Sequence, residues 1–320
     1  MNKLTIGLQG GTGFIGSVLA NALVKRGHKI RISTRNINHG RHLWVLPNTK
    51  VSVIDLNKQE EIDSLFKGCD VLINLIGILN EKKDDGKGFT YAHTELTSRA
   101  VQTCKTNHIK HFIQLSSIGA DVNSISNYQK TKGNAENIIL SEQSSHFKAS
   151  IIRPSVVFGP KDKFINKFAT LVKLFNGRIP LACPQSLLQP IFVNDLVDAI
   201  VAIIENPQHK ESIYELGGPE IKTLIEIVRY ICEILNIKDR VIPLNYLFSS
   251  IQAGLLEFVP GKPLSRDNLR SLRRNSICSE LPGLQDLGIK ATTMNEIIPS
   301  YLLNRKYKDR FAHYRNNSGR

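Results

Sequence analysis

The sequence predicts an α/β protein: a doubly wound parallel sheet with helices on both faces, followed by a smaller, mostly helical C-terminal lobe. Three observations carry this. Strand-like apolar runs alternate with helix-like segments over the first half, as repeated β-α-β units do. A glycine-rich turn directly follows the first strand, the mark of a Rossmann-type sheet. Near residue 160 the alternation fades and amphipathic helices dominate. The 320 residues suffice for one large domain or two unequal lobes.

Taken in order, "LTIGLQG" reads as a buried strand and "FIGSVLANALVKRG" as a helix stopped by Gly27. "HKIRIST" alternates as a second strand. "VSVIDL" is a third, "EEIDSLFKG" a short helix, and "DVLINLIGIL" a fourth strand. "TYAHTELTSRAVQTCKTNHI" reads as a helix, "KHFIQLSSIG" as a fifth strand, "NYQKTKGNAENIILSEQ" as a helix and "KASIIRPSVVFGP" as a sixth strand ending in a turn. Later, "FINKFATLVKLF" is a helix. "LLQPIFVNDLVDAIVAIIEN" is a short strand and a helix, with Asn194 or Asp195 as its cap. "SIYELGG" is a strand, "KTLIEIVRYICEILNI" an amphipathic helix, and "RVIPLNYLFSSIQAGLLEFVPG" a strand leading into an apolar helix.

The bulk numbers narrow the class. Apolar content is 41% and charged content 22%, and no apolar run nears the roughly 18 residues of a membrane span. Met1-Asn2-Lys3 leads straight into a strand without a signal peptide or an Arg- and Ser-rich leader. The chain is therefore expected to work where it is made, or to have lost a leader. The five cysteines are scattered and form no C-x-x-C, which fits a reducing compartment. The histidines are dispersed, so no metal site is expected, and no G-x-S-x-G hydrolase elbow occurs.

The formal charge is +14. A basic balance suits nucleic acid, anionic lipid, an acidic partner or a phosphate-bearing ligand. The excess concentrates in "GKPLSRDNLRSLRRN" and in the tail "NRKYKDRFAHYRNNSGR", which has six Lys or Arg against one Asp. No interleaved aromatic platform or reader module accompanies it, so no nucleic-acid partner is expected.

Gly10, Gly13 and Gly16 give G-x-x-G-x-x-G between a strand and a helix. Glycine is needed where the backbone turns with positive φ, approaches a pyrophosphate, or packs helix against strand. The helix opening at Phe14-Ile15 aims its amides and dipole at the phosphates. A dinucleotide is the expected ligand. An NAD site usually places an acid about 20 residues on, at the ribose 2′-hydroxyl. Here Arg35 follows Ser33 and Thr34, and Arg pairs with a 2′-phosphate, so NADP(H) is favoured over NAD(H).

"GGTGFIG", "VIDL", "NLIG", "IIRPSVVFGP" and "QPIFVNDLVDAI", in this order, resemble the short-chain dehydrogenase/reductase superfamily of the extended or atypical kind. The resemblance covers most of the chain. It implies that Asp55 and Leu56 lie at the adenine, that Asn74 to Gly77 pass the cofactor, and that Pro154 and Val156 lie beside the nicotinamide. "RPSVVFGPKDKFINKFATL", "LSRDNLRSLRR" and "LPGLQDLGIKATTMNEI" are similar to the nucleotide-binding accessory subunits of respiratory complex I (NADH:ubiquinone oxidoreductase) and their bacterial relatives. That resemblance implies a cofactor, usually NADPH, held for structure or regulation. It implies complex I subunits as partners, on the peripheral arm near the membrane. It also implies a place at the inner face of the inner membrane in a bacterium, or on the matrix side in a mitochondrion.

Tyr128 and Lys132 form Y-x-x-x-K on one face of a helix. A lysine ammonium near a phenol favours the phenolate, so the tyrosine can exchange a proton with a carbonyl or alcohol. The same lysine can hold the nicotinamide ribose, and the superfamily completes the set with a serine, here Ser117. Two functions stay open: an accessory or assembly protein of complex I, and a free NADP(H)-dependent reductase, dehydrogenase or epimerase, for instance on quinone precursors. The expected organisation is a nucleotide-binding domain at 1–160, a smaller lobe at 161–304 that returns strands to the first, and a basic tail at 305–320. Two readings also stay open for "LNYLFSSIQAGLLEFVPG" with the arginines after it: a core helix beside a solvated one, or a boundary with anionic lipid.

Overall fold

The computed structural model describes residues 3–206, 208–209, 211–259 and 262–303. The basic tail expected at 305–320 lies outside them. Seven parallel strands form the main sheet: β1 (Thr5–Gln9), β2 (Lys29–Thr34), β3 (Thr49–Val53), β4 (Val71–Asn74), β5 (His111–Leu115), β6 (Lys148–Pro154) and β7 (Ile213–Leu216). Across the sheet they run β7-β6-β5-β4-β1-β2-β3. The order reverses between β1 and β4, so the ligand crevice of such a sheet lies outside the carboxyl ends of these two strands.

Period-two alternation sorts the strand residues. Ile6, Leu8, Ile30, Ile32, Ile73 and Ile113 face α1 (Phe14–Lys25) and α6 (Val193–Glu205) in one core. Leu72, Phe112 and Ile151 face the other way. They pack on α2 (Gln59–Phe66), α3 (Leu96–Thr106) and α4 (Asn127–Ser141) through Phe66, Ala100 and Ile139. β7 and α6 come from the second half of the chain yet belong to this sheet and its cover. Ile200 of α6 is fully buried, and Ile200→Ala is expected to cost about 2–5 kcal/mol, read as a lower denaturation midpoint.

The smaller lobe has its own core, built by α5 (Ile165–Leu174), α7 (Leu224–Ile234) and α10 (Met294–Leu303) through Val172, Ile227, Ile231 and Ile298. A capping box fixes the start of α7: Thr223 accepts from the Glu226 amide, and Glu226 accepts from that of Thr223. At the lobe's edge, α8 (Tyr246–Leu256) packs on α9 (Arg266–Leu272) through Ala253 and Leu269.

Two expectations change. Neither Asn194 nor Asp195 caps α6; Phe192 stands at its cap, without a side-chain bond. Asp195 instead accepts from the Thr292 amide at 2.7 Å and its hydroxyl at 2.9 Å, tying the late segment to the sheet's cover. And α8 is no core helix: of its residues only Ser249 and Ala253 are buried.

Candidate functional site

The glycine loop sits at the switch point between β1 and β4. Gly10 has φ 75°, and a Cβ there would meet the Leu75 carbonyl carbon at 3.0 Å. A Cβ on Gly16 would lie 2.6 Å from the Gly10 oxygen and from the Gly11 Cα. Only glycine lets the loop, the turn after β4 and α1 come this close. The Gly13 amide donates to the Gly10 carbonyl at 3.0 Å. α1 then begins with no side-chain cap and no acid in its first turn. Its opening amides and positive dipole end are thus available to an anion. Phe14 packs under Gly159, whose added Cβ would stand 3.3 Å from the ring, and Ile15 joins the first core. This cradle fits a dinucleotide pyrophosphate.

At the adenosine side, Arg35 is exposed at the end of β2, with no carboxylate partner among the described residues. The turn after it folds back on the loop. A Cβ on Gly40 would lie 3.5 Å from the Thr12 methyl, and His42 Nε2 sits 2.8 Å from Ser17 Oγ. Burial and the nearby Lys161 hold the His42 imidazole below its ordinary value. Lys161 therefore lies near His42 on this side of the loop, a neighbour the motif alone did not reveal. Asp55 is exposed. Its carboxylate accepts from the Asn57 amide and side chain, both at 2.9 Å, which holds it below the usual range, while Leu56 beside it is buried.

Asn74 is fully buried and bound inside the protein. It donates to Gln114 at 3.0 Å and Thr97 at 3.1 Å, and accepts from the Ile76 amide at 3.1 Å. It shapes the turn that covers Gly10. Gly77 lies where that turn meets the Tyr128 helix: a Cβ there would stand 3.5 Å from Lys132 Nζ and 3.7 Å from His93 Nε2. On the far side, the Pro154 carbonyl accepts from the Ile118 amide at 3.1 Å and that of Val156 from Ile191 at 2.9 Å, so this strand end runs past Ser117.

Ser117, Tyr128 and Lys132 are brought together, but not as the spacing suggested. Lys132 is 3% exposed, and its ammonium donates to the Leu115 carbonyl at 2.8 Å. Burial pushes its pKa down to about 8, against the opposing pull of Glu136. Burial raises the Tyr128 phenol, offset in part by the neighbouring Ser117 hydroxyl. The expected lowering of the phenol by Lys132 is absent, because the ammonium is directed at a backbone carbonyl. Ser117 Oγ is buried beside the Tyr128 phenol and has no well-formed hydrogen bond among the described residues.

Several supporting residues carried no signal in the sequence. Asp267 of α9, 2% exposed, accepts from the Asn127 amide at 2.7 Å, the Tyr128 amide at 3.1 Å and the Ser126 hydroxyl at 2.8 Å. The second lobe thus caps the helix bearing Tyr128. Asn268 donates to the Leu79 carbonyl and Arg270 grips Asp84 with both nitrogens, closing the lobe over the loop after Gly77. Glu136 receives Ser116 Oγ at 2.5 Å and Arg153 through two nitrogens.

His93 lies in a π-helical turn, Thr90–Glu95, a geometry enriched at functional sites. Its Nε2 accepts from the Ile78 amide at 3.2 Å and its ring meets Tyr128 edge-on at 5.3 Å. The accepting Nε2 leaves Nδ1 as the donor to Thr131, 3.0 Å away. Burial, then Lys132, drives its pKa down to about 2 from 6.5. The unfolded chain takes up that proton first, so stability falls as pH drops below 6.5, by about 1.4 kcal/mol per pH unit for each such group. His111, pushed down to about 3 by burial, acts in the same direction. Denaturation midpoints between pH 4 and 6.5 are expected to decline less steeply in His93→Gln than in the parent; equal slopes would remove this assignment.

Comparison with known proteins agrees with this geometry. The family model described as "NAD dependent epimerase/dehydratase family" matches residues 6–217. The mitochondrial protein named NADH dehydrogenase [ubiquinone] 1 alpha subcomplex subunit 9 is 28% identical over 260 residues in Arabidopsis thaliana, covering 79% of this chain and 63% of that protein. In Mus musculus it is 27% identical over 297 residues, covering 89% and 76%. A Caulobacter vibrioides protein named ceramide reductase is 26% identical over 247 residues, covering 75% and 73%. Among solved structures, a dTDP-glucose 4,6-dehydratase from Streptomyces venezuelae with bound NAD has a TM-score of 0.73 at 15% identity, covering 95% and 97%. The matched family, the switch-point glycine cradle and the strand order coincide, and the chain belongs to the NAD dependent epimerase/dehydratase family.

Proposed function

We propose that the protein is an accessory or assembly subunit of the respiratory NADH:ubiquinone oxidoreductase that holds NADP(H) mainly for structure or regulation. The likeness to complex I subunits supports the partner, since it extends through the smaller lobe. The observation that carries holding over turnover is the state of the Tyr128–Lys132 pair: the phenol is raised and the ammonium engages Leu115. The partners are complex I subunits on the peripheral arm, close to an anionic membrane surface. The setting is the inner face of the inner membrane in a bacterium, or the matrix side in a mitochondrion. Among the described residues no helix is long and apolar enough to cross a membrane.

In this reading Gly10, Gly13, Phe14, Ile15 and Gly16 hold the pyrophosphate. Asp55 and Leu56 border the adenine, Gly77, Pro154 and Val156 border the nicotinamide, and Lys132 anchors its ribose. Arg35 meets the 2′-phosphate. Arg35→Ala is expected to weaken NADPH about tenfold, as loss of one exposed charge-assisted bond, and to leave NADH unchanged. Fluorescence titration checks this; tighter NADH than NADPH binding by the parent protein removes the NADP(H) preference. Co-migration with complex I on blue-native gels, and less assembled complex on deletion of the protein, test the subunit reading. Independent migration with undiminished complex would overturn it.

A second reading, an NADP(H)-dependent reductase, dehydrogenase or epimerase, draws on the buried Ser117 hydroxyl beside Tyr128 and on the relative named ceramide reductase. The dinucleotide supplies hydride when bound. Ser117 would hold the substrate oxygen and Tyr128 would exchange its proton. Quinone precursors and lipid ketones are the substrates to try. NADPH consumption that Tyr128→Phe abolishes would establish this reading over the first.

A further inference from the structure

Helix α8 is turned inside out relative to ordinary surface helices. Its protein-facing side offers the small Ser249 and Ala253. Its water-facing side carries Leu247, Ile251 and Leu255, and the line continues to Phe258, at exposures of 65, 52, 67 and 85%. Phe248 and Val259 widen the strip. The only carboxylate in this stretch, Glu257, is taken by Arg266. A contiguous apolar strip of this kind marks an interaction surface.

The charges around it identify what covers it. The arginine row that follows α8 in sequence is mostly paired with carboxylates: Arg270 with Asp84, Arg274 with Asp121 and Arg266 with Glu257. Among the described residues Arg273 has no carboxylate partner; its guanidinium lies 5.2 Å above the Tyr246 ring at the start of α8. Other cations replace the row. Pro180–Leu181 pairs with Ile242–Pro243, the Lys238 carbonyl lies against Gly177, and Gln252 of α8 donates to the Pro180 carbonyl. Arg178, Lys238 and Arg240 belong to the segments that these contacts join to α8, and none has a carboxylate partner among the described residues.

We propose that α8 lies flat in the interface of an anionic lipid bilayer, with Leu247, Ile251, Leu255 and Phe258 among the acyl chains and Arg178, Lys238, Arg240 and Arg273 on the lipid phosphates. A single apolar strip, with cations that lack carboxylate partners among the described residues on the segments packed against its helix, is what such an interface selects. A protein groove would need matching shape but no surplus of positive charge. This deepens the reading of a membrane-side subunit and rests on it for its setting. The test uses the isolated protein, so the two fail separately: lost lipid binding with intact co-migration removes the surface alone, and the converse removes the subunit reading alone.

Flotation with vesicles of phosphatidylcholine, with and without phosphatidylglycerol, reads the effect. The protein is expected to float with the anionic vesicles and stay behind with the neutral ones. Leu247→Gln/Ile251→Gln/Leu255→Gln should weaken binding more than about tenfold, with an unchanged melting curve because these side chains are already in water. Arg178→Glu, Lys238→Glu and Arg240→Glu should each weaken it roughly fivefold, and high salt should do the same. No flotation, equal flotation with both vesicles, or self-association through α8 in place of lipid binding would overturn the proposal.

Discussion

Gly16→Val is expected to weaken dinucleotide binding and to lower stability together. The new Cβ would stand 2.6 Å from the Gly10 oxygen and Gly11 Cα, both backbone atoms of the cradle, so no side chain can swing away. The loop must open, which costs about 3 kcal/mol or more. An opened loop lifts the Gly10–Gly13 turn off α1's first amides, and affinity for NADPH should fall by about 100-fold, equivalent to ~2.8 kcal/mol. Titration at a temperature where circular dichroism shows the variant folded separates the two effects. Unchanged NADPH affinity in a folded Gly16→Val protein would place the nucleotide elsewhere.

Glu136→Ala is expected to be the most damaging single change on the Tyr128 helix. It strips Arg153 of two hydrogen bonds and leaves it only Glu215 at 3.4 Å, while buried Ser116 loses its acceptor. Removing one partner of a buried pair costs about 3–5 kcal/mol, and Arg153 is partly solvated, which places this case near 3. Urea unfolding measures it, and Glu136→Gln should lose less. The same change alters Lys132. Glu136 is what favours its ammonium, so without it the value drops below about 8. Lys132 already sits beneath its ordinary 10.5, so the folded protein releases this proton first and stability gains as pH rises from about 8 to 10.5. In Glu136→Gln that window should open at lower pH; an unshifted window would mean that Glu136 does not act on Lys132.

The first half of the chain was legible because its signals are local. Each strand carries its own apolar run, and Gly10, Gly13 and Gly16 announce the loop within a few residues of where they act. The late returns were legible only in part. "SIYELGG" reads as a strand, but nothing local says that it pairs with β6. Asp267 looks like one acid in a basic row, yet it caps a helix whose Tyr128 lies 139 residues away. Tertiary proximity decides such contacts, and no periodicity records it. The arginines around Asp267 misled in the same way, since their carboxylate partners Asp84 and Asp121 belong to loops of the other lobe. In α8, apolar residues occupy both the buried and exposed arcs, so composition could not say which side met water. The Y-x-x-x-K spacing puts Tyr128 and Lys132 one turn apart on α4. The direction of the ammonium, toward Leu115, depends on where β5 ends and could not be read from spacing.

The central claim, a cofactor held and not turned over, rests most directly on Tyr128. Cells lacking the protein can be complemented with the parent chain or with Tyr128→Phe, and assembled complex I quantified on blue-native gels. The phenol's proton has no part in a holding site, so Tyr128→Phe should restore assembled complex to the parent level. If Tyr128→Phe binds NADPH with parental affinity yet leaves the complex depleted, the protein acts through chemistry at this hydroxyl and the holding account is wrong.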